Sequence, residues 1–315
     1  MKRRTLPMLT LVALLFDAGL YAQQEVSPQR PARPSASFRT GVDVVSLNVT
    51  VTDRTNRLVL DLDPQDFAVF EDGVRQEITF FTRERQSVAL SLLLDSSLSM
   101  QEHLPMLQVA ATNFVRRLGP TDVAQIVDFD SRVAVRQPFT GNQTQLTAAI
   151  RQTEAGGATS LYNAVYVGLK ELSKIQAVSD ADVRRQALIV FSDGEDTSSL
   201  VAFEAVLDLA KRSETAVYTI AFRGPDTQTK GFREGEYVLR ALAQETGGGA
   251  FVPVKGEDLA DVYARIGEEL ASQYTLGYIS GNPKHNGGWR RILVQVSRPN
   301  TRARTKNGYY APRTR

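Results

Sequence analysis

The chain has 315 residues, 42% hydrophobic and 23% charged, the balance of a folded globular protein with one large domain or two modest ones. It contains no cysteine, which excludes a disulfide framework, a lipid-attachment cysteine and thiolate metal sites. The formal net charge is only +2, and three of the basic residues stand at the very start, so charge is poor support for nucleic-acid binding.

Lys2, Arg3 and Arg4 precede a short apolar run from Leu6 to Phe16, and Ala22 supplies a small residue before Gln23. This is the pattern of a secretory leader over residues 1–22, too short for a membrane-spanning helix. Cleavage near Ala22 removes three basic residues and Asp17, which takes the formal charge from +2 to zero. The expected location is periplasmic or extracellular, as for a bacterial exported protein. No later apolar run reaches bilayer length, so no transmembrane segment is expected in the mature chain.

Residues 23–38, rich in Pro, Ser, Gln and Arg, read as a flexible linker. Strand alternation then begins in "VDVVSLNVTVTD", and Asp72-Gly73 marks a hairpin turn between two further short strands. Residues 39–86 are therefore expected to be all-β. From Ser87 the pattern changes. Apolar runs at 88–94, 123–129, 187–191, 216–222 and 250–254 read as strands buried on both faces. Amphipathic helices are expected near 104–118, 160–178, 201–213, 235–246 and 257–273, and "SRVAVRQPFT" as a strand antiparallel to 123–129. Such alternation predicts an α/β fold with a doubly wound, mostly parallel sheet over 87–273. Strand character returns over 274–315 in "YTLGYIS", "RRILVQV" and "ARTKNGYYAP". The strands at the two ends are too few to stand alone, so they are expected to combine into one small β-domain with the α/β domain inserted between them.

In a doubly wound fold, ligands bind at the carboxyl ends of the strands. Asp95 ends the first α/β strand, and Ser97 and Ser99 follow at spacing two. Thr159 lies after a double glycine at a helix start, and Asp193-Gly194 closes another buried strand. If these strands are neighbours, Asp95, Ser97, Ser99, Thr159 and Asp193 converge. Hard oxygens without thiolate or a histidine cluster fit Mg2+, with Mn2+ or Ca2+ as alternatives. Taken singly, each piece has a plainer reading as a turn or a helix cap. Glu195, Asp196 and His103 stand where they could rim a partner site.

Together, Asp95-x-Ser97-x-Ser99, Thr159 and Asp193-Gly194 resemble the metal-ion-dependent adhesion site of von Willebrand factor type A domains, a Rossmann-like fold, over roughly residues 87–272. The resemblance implies that the two serines and the threonine contact the metal directly. It also implies that the aspartates act through water and that a partner carboxylate completes the shell. Leu98 stands where many members have glycine. The flanks, "LNVTVTDRTNRLVLDLDPQDFAVFEDGVRQEITFF" and "QYTLGYIS…WRRILVQV…RTKNGYYAPR", look like the acidobacterial proteins related to these domains.

The expected function is a metal-dependent adhesion or scaffold module for an unidentified protein presenting an acidic residue. A structural envelope component with a bracing metal is the second reading. A metal-dependent hydrolase is the third, and an enzyme is not expected. His103 and His285 lack a triad context, and no nucleophile-elbow, phosphate-loop or zinc spacing is present. Residues 270–315 carry nine Lys or Arg and no acid. They are expected to be solvated strand faces that meet acidic patches of the same protein rather than an anionic surface such as lipid headgroups or nucleic acid. Trp289 is either an exposed anchor or packed within the β-domain.

Overall fold

The computed structural model describes residues 44–175, 184–222, 230–253 and 258–313. The expected leader (1–22) and linker (23–38) lie outside the described residues. The described chain begins with β1 (Val44–Asp53), in which Val45, Leu47, Val49 and Val51 alternate into a core. Next come β2 (Phe67–Glu71), β3 (Val74–Gln76) and β4 (Ile78–Thr82). Asp72 and Gly73 join β2 to β3 with φ of +49° and +84°, the two-residue hairpin geometry that favours glycine.

The α/β part then runs through β5 (Val88–Asp95), α1 (Leu104–Val115), β6 (Val123–Phe129), β7 (Val133–Thr140), α2 (Gln143–Arg151), α3 (Leu161–Ser173) and β8 (Arg185–Ser192). It continues with α4 (Phe203–Arg212), β9 (Thr215–Ala221), α5 (Lys230–Thr246), β10 (Ala250–Phe251) and α6 (Asp258–Ser272). The sheet order is β10-β9-β8-β5-β6-β7, parallel except for β7, which pairs antiparallel with β6. β5 is buried at all eight positions because helices cover both faces. Leu90, Leu92 and Leu94 share one core with α1, α2 and α6. Ala89 and Leu93 share the other with α3, α4 and α5.

Helix α2 has no counterpart in the sequence reading. Only Leu146, Ala149 and Ile150 of it are buried, so its apolar stripe is too short to register as a period. The Asn142 side chain starts it, accepting from the backbone N–H groups of Thr144 and Gln145.

After the insertion come β11 (Tyr274–Ile279), β12 (Trp289–Val296), β13 (Thr301–Arg304) and β14 (Gly308–Tyr310). The last two were expected as one strand. They separate at Thr305–Asn307 and join different sheets, β13-β1-β11-β4 and β14-β12-β2-β3. The two sheets share a core of β1 residues with Phe67, Val69, Tyr274, Leu276, Tyr278, Ile292 and Val294, a small β-sandwich. So strands from both ends of the described chain interleave: β1 pairs with β11 and β13, and β2 pairs with β12.

Polar contacts fasten the sandwich to the α/β part. Glu269 of α6 accepts from Thr50 (3.0 Å) on β1, from Tyr218 (2.8 Å) on β9 and from Arg304 on β13. The Tyr310 ring lies 3.8 Å from the Arg212 guanidinium, and its hydroxyl donates to Asp208 at 2.9 Å. Trp289 packs edge-on against Tyr310 at 4.9 Å, with the Lys211 ammonium of α4 4.8 Å from its ring. It therefore bridges the two parts instead of serving only the sandwich. Four of the C-terminal cations pair with acids elsewhere in the chain: Arg290 with Glu71, Arg298 with Asp61, Arg304 with Glu269 and Lys306 with Glu214.

Candidate metal centre

The chain steps from β5 to β6 on one side and then returns to place β8 on the other, so the topological switch point falls between β5 and β8. The helices that follow these strands, α1 and α4, lie on opposite faces, the arrangement that in doubly wound folds marks the ligand-binding edge. Asp95 is the last residue of β5, and Asp193 follows the last residue of β8.

Asp95 is completely buried. One carboxylate oxygen accepts from the Ser97 backbone N–H at 2.9 Å, and the other accepts from the Ser192 hydroxyl at 2.6 Å. Ser192 also accepts from the Gly194 N–H at 3.0 Å, so one hydroxyl ties the ends of both strands together. Burial pushes the Asp95 carboxyl up to about 6, and the nearby Asp193 charge adds a smaller push in the same direction. A cation beside it would act in the opposite sense and favour the carboxylate.

The Ser97 and Ser99 hydroxyl oxygens are 3.1 Å apart, Ser97 buried and Ser99 exposed. The segment holding Thr159 is laced onto this loop by two backbone bonds: Leu98 N–H to Gly157 O (3.1 Å) and Gly156 N–H to Ser96 O (2.8 Å). Thr159 is 5% exposed, and its hydroxyl makes no hydrogen bond among the described residues. Asp193 is half-buried and accepts the Glu195 N–H at 3.1 Å. The three loops that carry the five predicted oxygen residues are therefore held together directly.

The donor set suits a hard divalent ion. Adjacent ligands of an Mg2+ octahedron at about 2.0–2.1 Å lie about 2.9 Å apart, so the Ser97 and Ser99 hydroxyls, hydrogen-bonded to each other at 3.1 Å, need little movement to share one ion. Each Asp95 oxygen accepts one hydrogen bond and keeps a lone pair for an ion or a water. Among the described residues, no group of three or more His, Asp or Glu side chains gathers, so the set depends on hydroxyls.

The three rim candidates have other attachments. His103 sits at the start of α1 with its ring 4.0 Å from that of Phe222. Glu195 is half-buried beside Asp193. Asp196 accepts from the Tyr162 backbone N–H (3.1 Å) and the Ser199 hydroxyl (2.6 Å), capping the first turn of α3. Asp196→Ala is expected to cost about 1 kcal/mol of stability by loss of that cap; an unchanged urea midpoint would refute the role.

Sequence reasoning missed the residues that cross-link the loops. The Thr197 hydroxyl accepts the Thr159 N–H at 2.9 Å. The Ser198 hydroxyl meets that of Ser160 at 2.8 Å, and Ser199 accepts the Asn163 N–H at 3.0 Å. Their one signal was the hydroxyl-rich text "DTSS" just after Asp193-Gly194-Glu195.

No curated protein matches the chain. Among solved structures it is similar to conserved hypothetical protein BatB from Bacteroides thetaiotaomicron, at 15% identity over 59% of this chain and 100% of that one, with a TM-score of 0.46. It is also similar to the vWF domain of the type V pili tip protein Mfa5 from Porphyromonas gingivalis, at 13% identity over 58% and 95%, with a TM-score of 0.47. A von Willebrand factor type A protein from Catenulispora acidiphila matches at 10% identity over 87% and 76%, with a TM-score of 0.48. Residues 90–195, which run from β5 to the loop after β8 and contain all five candidate ligands, match the family model of the von Willebrand factor type A domain.

Proposed function

We propose that the chain is an exported, metal-dependent protein-binding module. In this reading Asp95, Ser97, Ser99, Thr159 and Asp193 hold Mg2+ at the carboxyl edge of the sheet, and a carboxylate of a partner protein completes the shell. The observation that carries it is the lacing together, at the carboxyl edge of the sheet, of the three loops that hold these oxygens: Ser192 bonds Asp95, and the Thr159 segment bonds the serine loop through Gly156 and Gly157. The leader pattern at residues 1–22 supports export, and the resemblance to a metal-ion-dependent adhesion site supports the ligand set.

The division of labour follows from charge. Three of the five donors are neutral hydroxyls, so a bound ion would keep much of its positive charge and supply Lewis-acid attraction for an anionic oxygen. Asp95, held by Ser97 N–H and Ser192, orients the serine loop. Thr159 is positioned by the Thr197 hydroxyl on its own N–H. Leu98, 62% exposed between the two serines, offers the partner an apolar contact beside the carboxylate.

The bracing-metal reading is less well supported, because hydrogen bonds already tie the three loops. The hydrolase reading is less well supported: His103 packs its ring, tilted by 43°, against Phe222 and no nucleophile–base pair is placed beside it among the described residues.

The test is a calorimetric Mg2+ titration of the mature chain, residues 23–315, beside Asp95→Ala. Saturable binding is expected in the first and not in the second, and an acidic peptide is expected to bind only with the metal present. A folded wild type that takes up neither Mg2+ nor Mn2+ would overturn the proposal.

A further inference from the structure

A cavity of about 510 Å3 opens where the β-sandwich meets the α/β part, at the amino ends of the parallel strands. It is thus at the opposite edge of the sheet from the oxygen cluster. Leu47 of β1 enters the sandwich core, while Ser46 and Asn48 line this cavity together with Val44 and Val45. Arg185 at the start of β8 lines it, as do Lys306, Tyr309 and Tyr310.

Two of the cations that line it are accounted for: Arg184 has interactions of its own, and Lys306 pairs with Glu214 at 2.7 Å, which leaves Arg185. Arg185 is only 5% exposed. Its guanidinium donates to the backbone carbonyls of Leu270 (3.1 Å) and Gln273 (2.9 Å) and to the Thr275 hydroxyl (2.8 Å), all uncharged groups. Its Nε is buried with no hydrogen-bond partner, and no carboxylate pairs with Arg185 among the described residues. Burial lowers its pKa to about 10, which leaves it charged at neutral pH. A buried guanidinium without a counter-charge is costly, and an unfilled donor on it adds to that cost. Thr275 donates onward to Asn48 at 3.3 Å, so this polar chain reaches the cavity wall.

We propose that the cavity binds a small oxyanion, a carboxylate or phosphate on a compact ring-bearing molecule, with Arg185 as its counter-charge and Tyr309 and Tyr310 as its aromatic wall. The site is independent of the metal centre. Because β1 belongs to the sandwich and β8 to the α/β sheet, an occupant bridges the two and stabilises their junction by mass action.

The experiment is calorimetry and thermal denaturation of the mature chain with inorganic phosphate and, separately, with benzoate, at ionic strength fixed by chloride. At least one is expected to bind at a single saturable site and raise the thermal midpoint with concentration. Which of the two binds assigns the oxyanion class. Arg185→Gln is expected to weaken binding by roughly tenfold or more, as loss of a charge-assisted contact does. Ser46→Trp, which fills the cavity and leaves Arg185 in place, is expected to do the same. Should Arg185→Gln fail to fold, Ser46→Trp decides alone. Neither probe giving saturable heat, or full-strength binding to Ser46→Trp, would overturn the proposal.

Discussion

Arg290→Met is expected to lower the unfolding free energy by about 3–5 kcal/mol, the range for removing one partner of a buried ion pair. Glu71 and Arg290 are 2% and 4% exposed and meet at 3.0 Å between neighbouring strands of one sandwich sheet. Glu71 also accepts from Ser280 (2.7 Å), Tyr278 (2.8 Å) and Tyr309 (3.0 Å). Those neutral donors remain in the variant, but the carboxylate would be left buried without its counter-charge. Arg290 also satisfies the carbonyls of Asn282 and Lys284, at 3.2 and 2.6 Å, so the loop between β11 and β12 loosens too. The double variant Arg290→Met with Glu71→Gln is expected to recover part of the loss, because no charge is then stranded. Urea denaturation of the three variants measures this. A single-variant loss below about 1 kcal/mol would place the pair in the class of solvated ion pairs and contradict the argument.

Gly194→Ala is expected to cost about 2–4 kcal/mol and to weaken any metal binding at the same time. Gly194 has φ of +88°, a conformation that a β-carbon resists. A Cβ there would also lie 2.8 Å from the backbone carbonyl carbon of Gly235 in α5, and a Cβ on Gly235 would lie 2.3 Å from the Gly194 oxygen. The two backbones touch, so neither side can yield by a rotamer change. The strain falls on the residue after Asp193 and on the N–H that Ser192 accepts. Gly235→Ala presses on the same contact from an ordinary helical residue, which separates packing from the φ requirement. Gly194→Ala with wild-type stability would show that the loop can move aside freely.

Much of this architecture was legible because it follows from period. β5 ends a run of buried leucines on Asp95, and β1 alternates from Val45 to Val49 before Thr50 is buried too, so strand type and buried face followed from the text. Asp95 and Asp193 were legible as residues at strand ends, and Thr159 as one before a helix. Their attachments were not. Ser192 bonds Asp95 from 97 positions away, and Asp196 caps α3 from 34 positions away, distances over which local pattern carries no information. The split of β13 from β14 was hidden for a related reason. Both strands are short, and Gly308 is placed by close approach to the Arg290 carbonyl, where a Cβ would come within 2.3 Å.

Inserting the α/β part within the sandwich dictates an order of assembly. β4 and β11 are paired neighbours, yet roughly 190 residues separate them along the chain. Bringing the ends of so long a flexible loop together costs about 5 kcal/mol before any strand contact compensates for it, from the logarithmic length dependence. Once the α/β part has folded, that cost is largely met in advance. β5 begins at its foot, and the end of α6 lies beside the start of β8 through the Arg185 bonds to Leu270 and Gln273. The sandwich is therefore expected to close last in folding, on a scaffold that has already brought its two halves together.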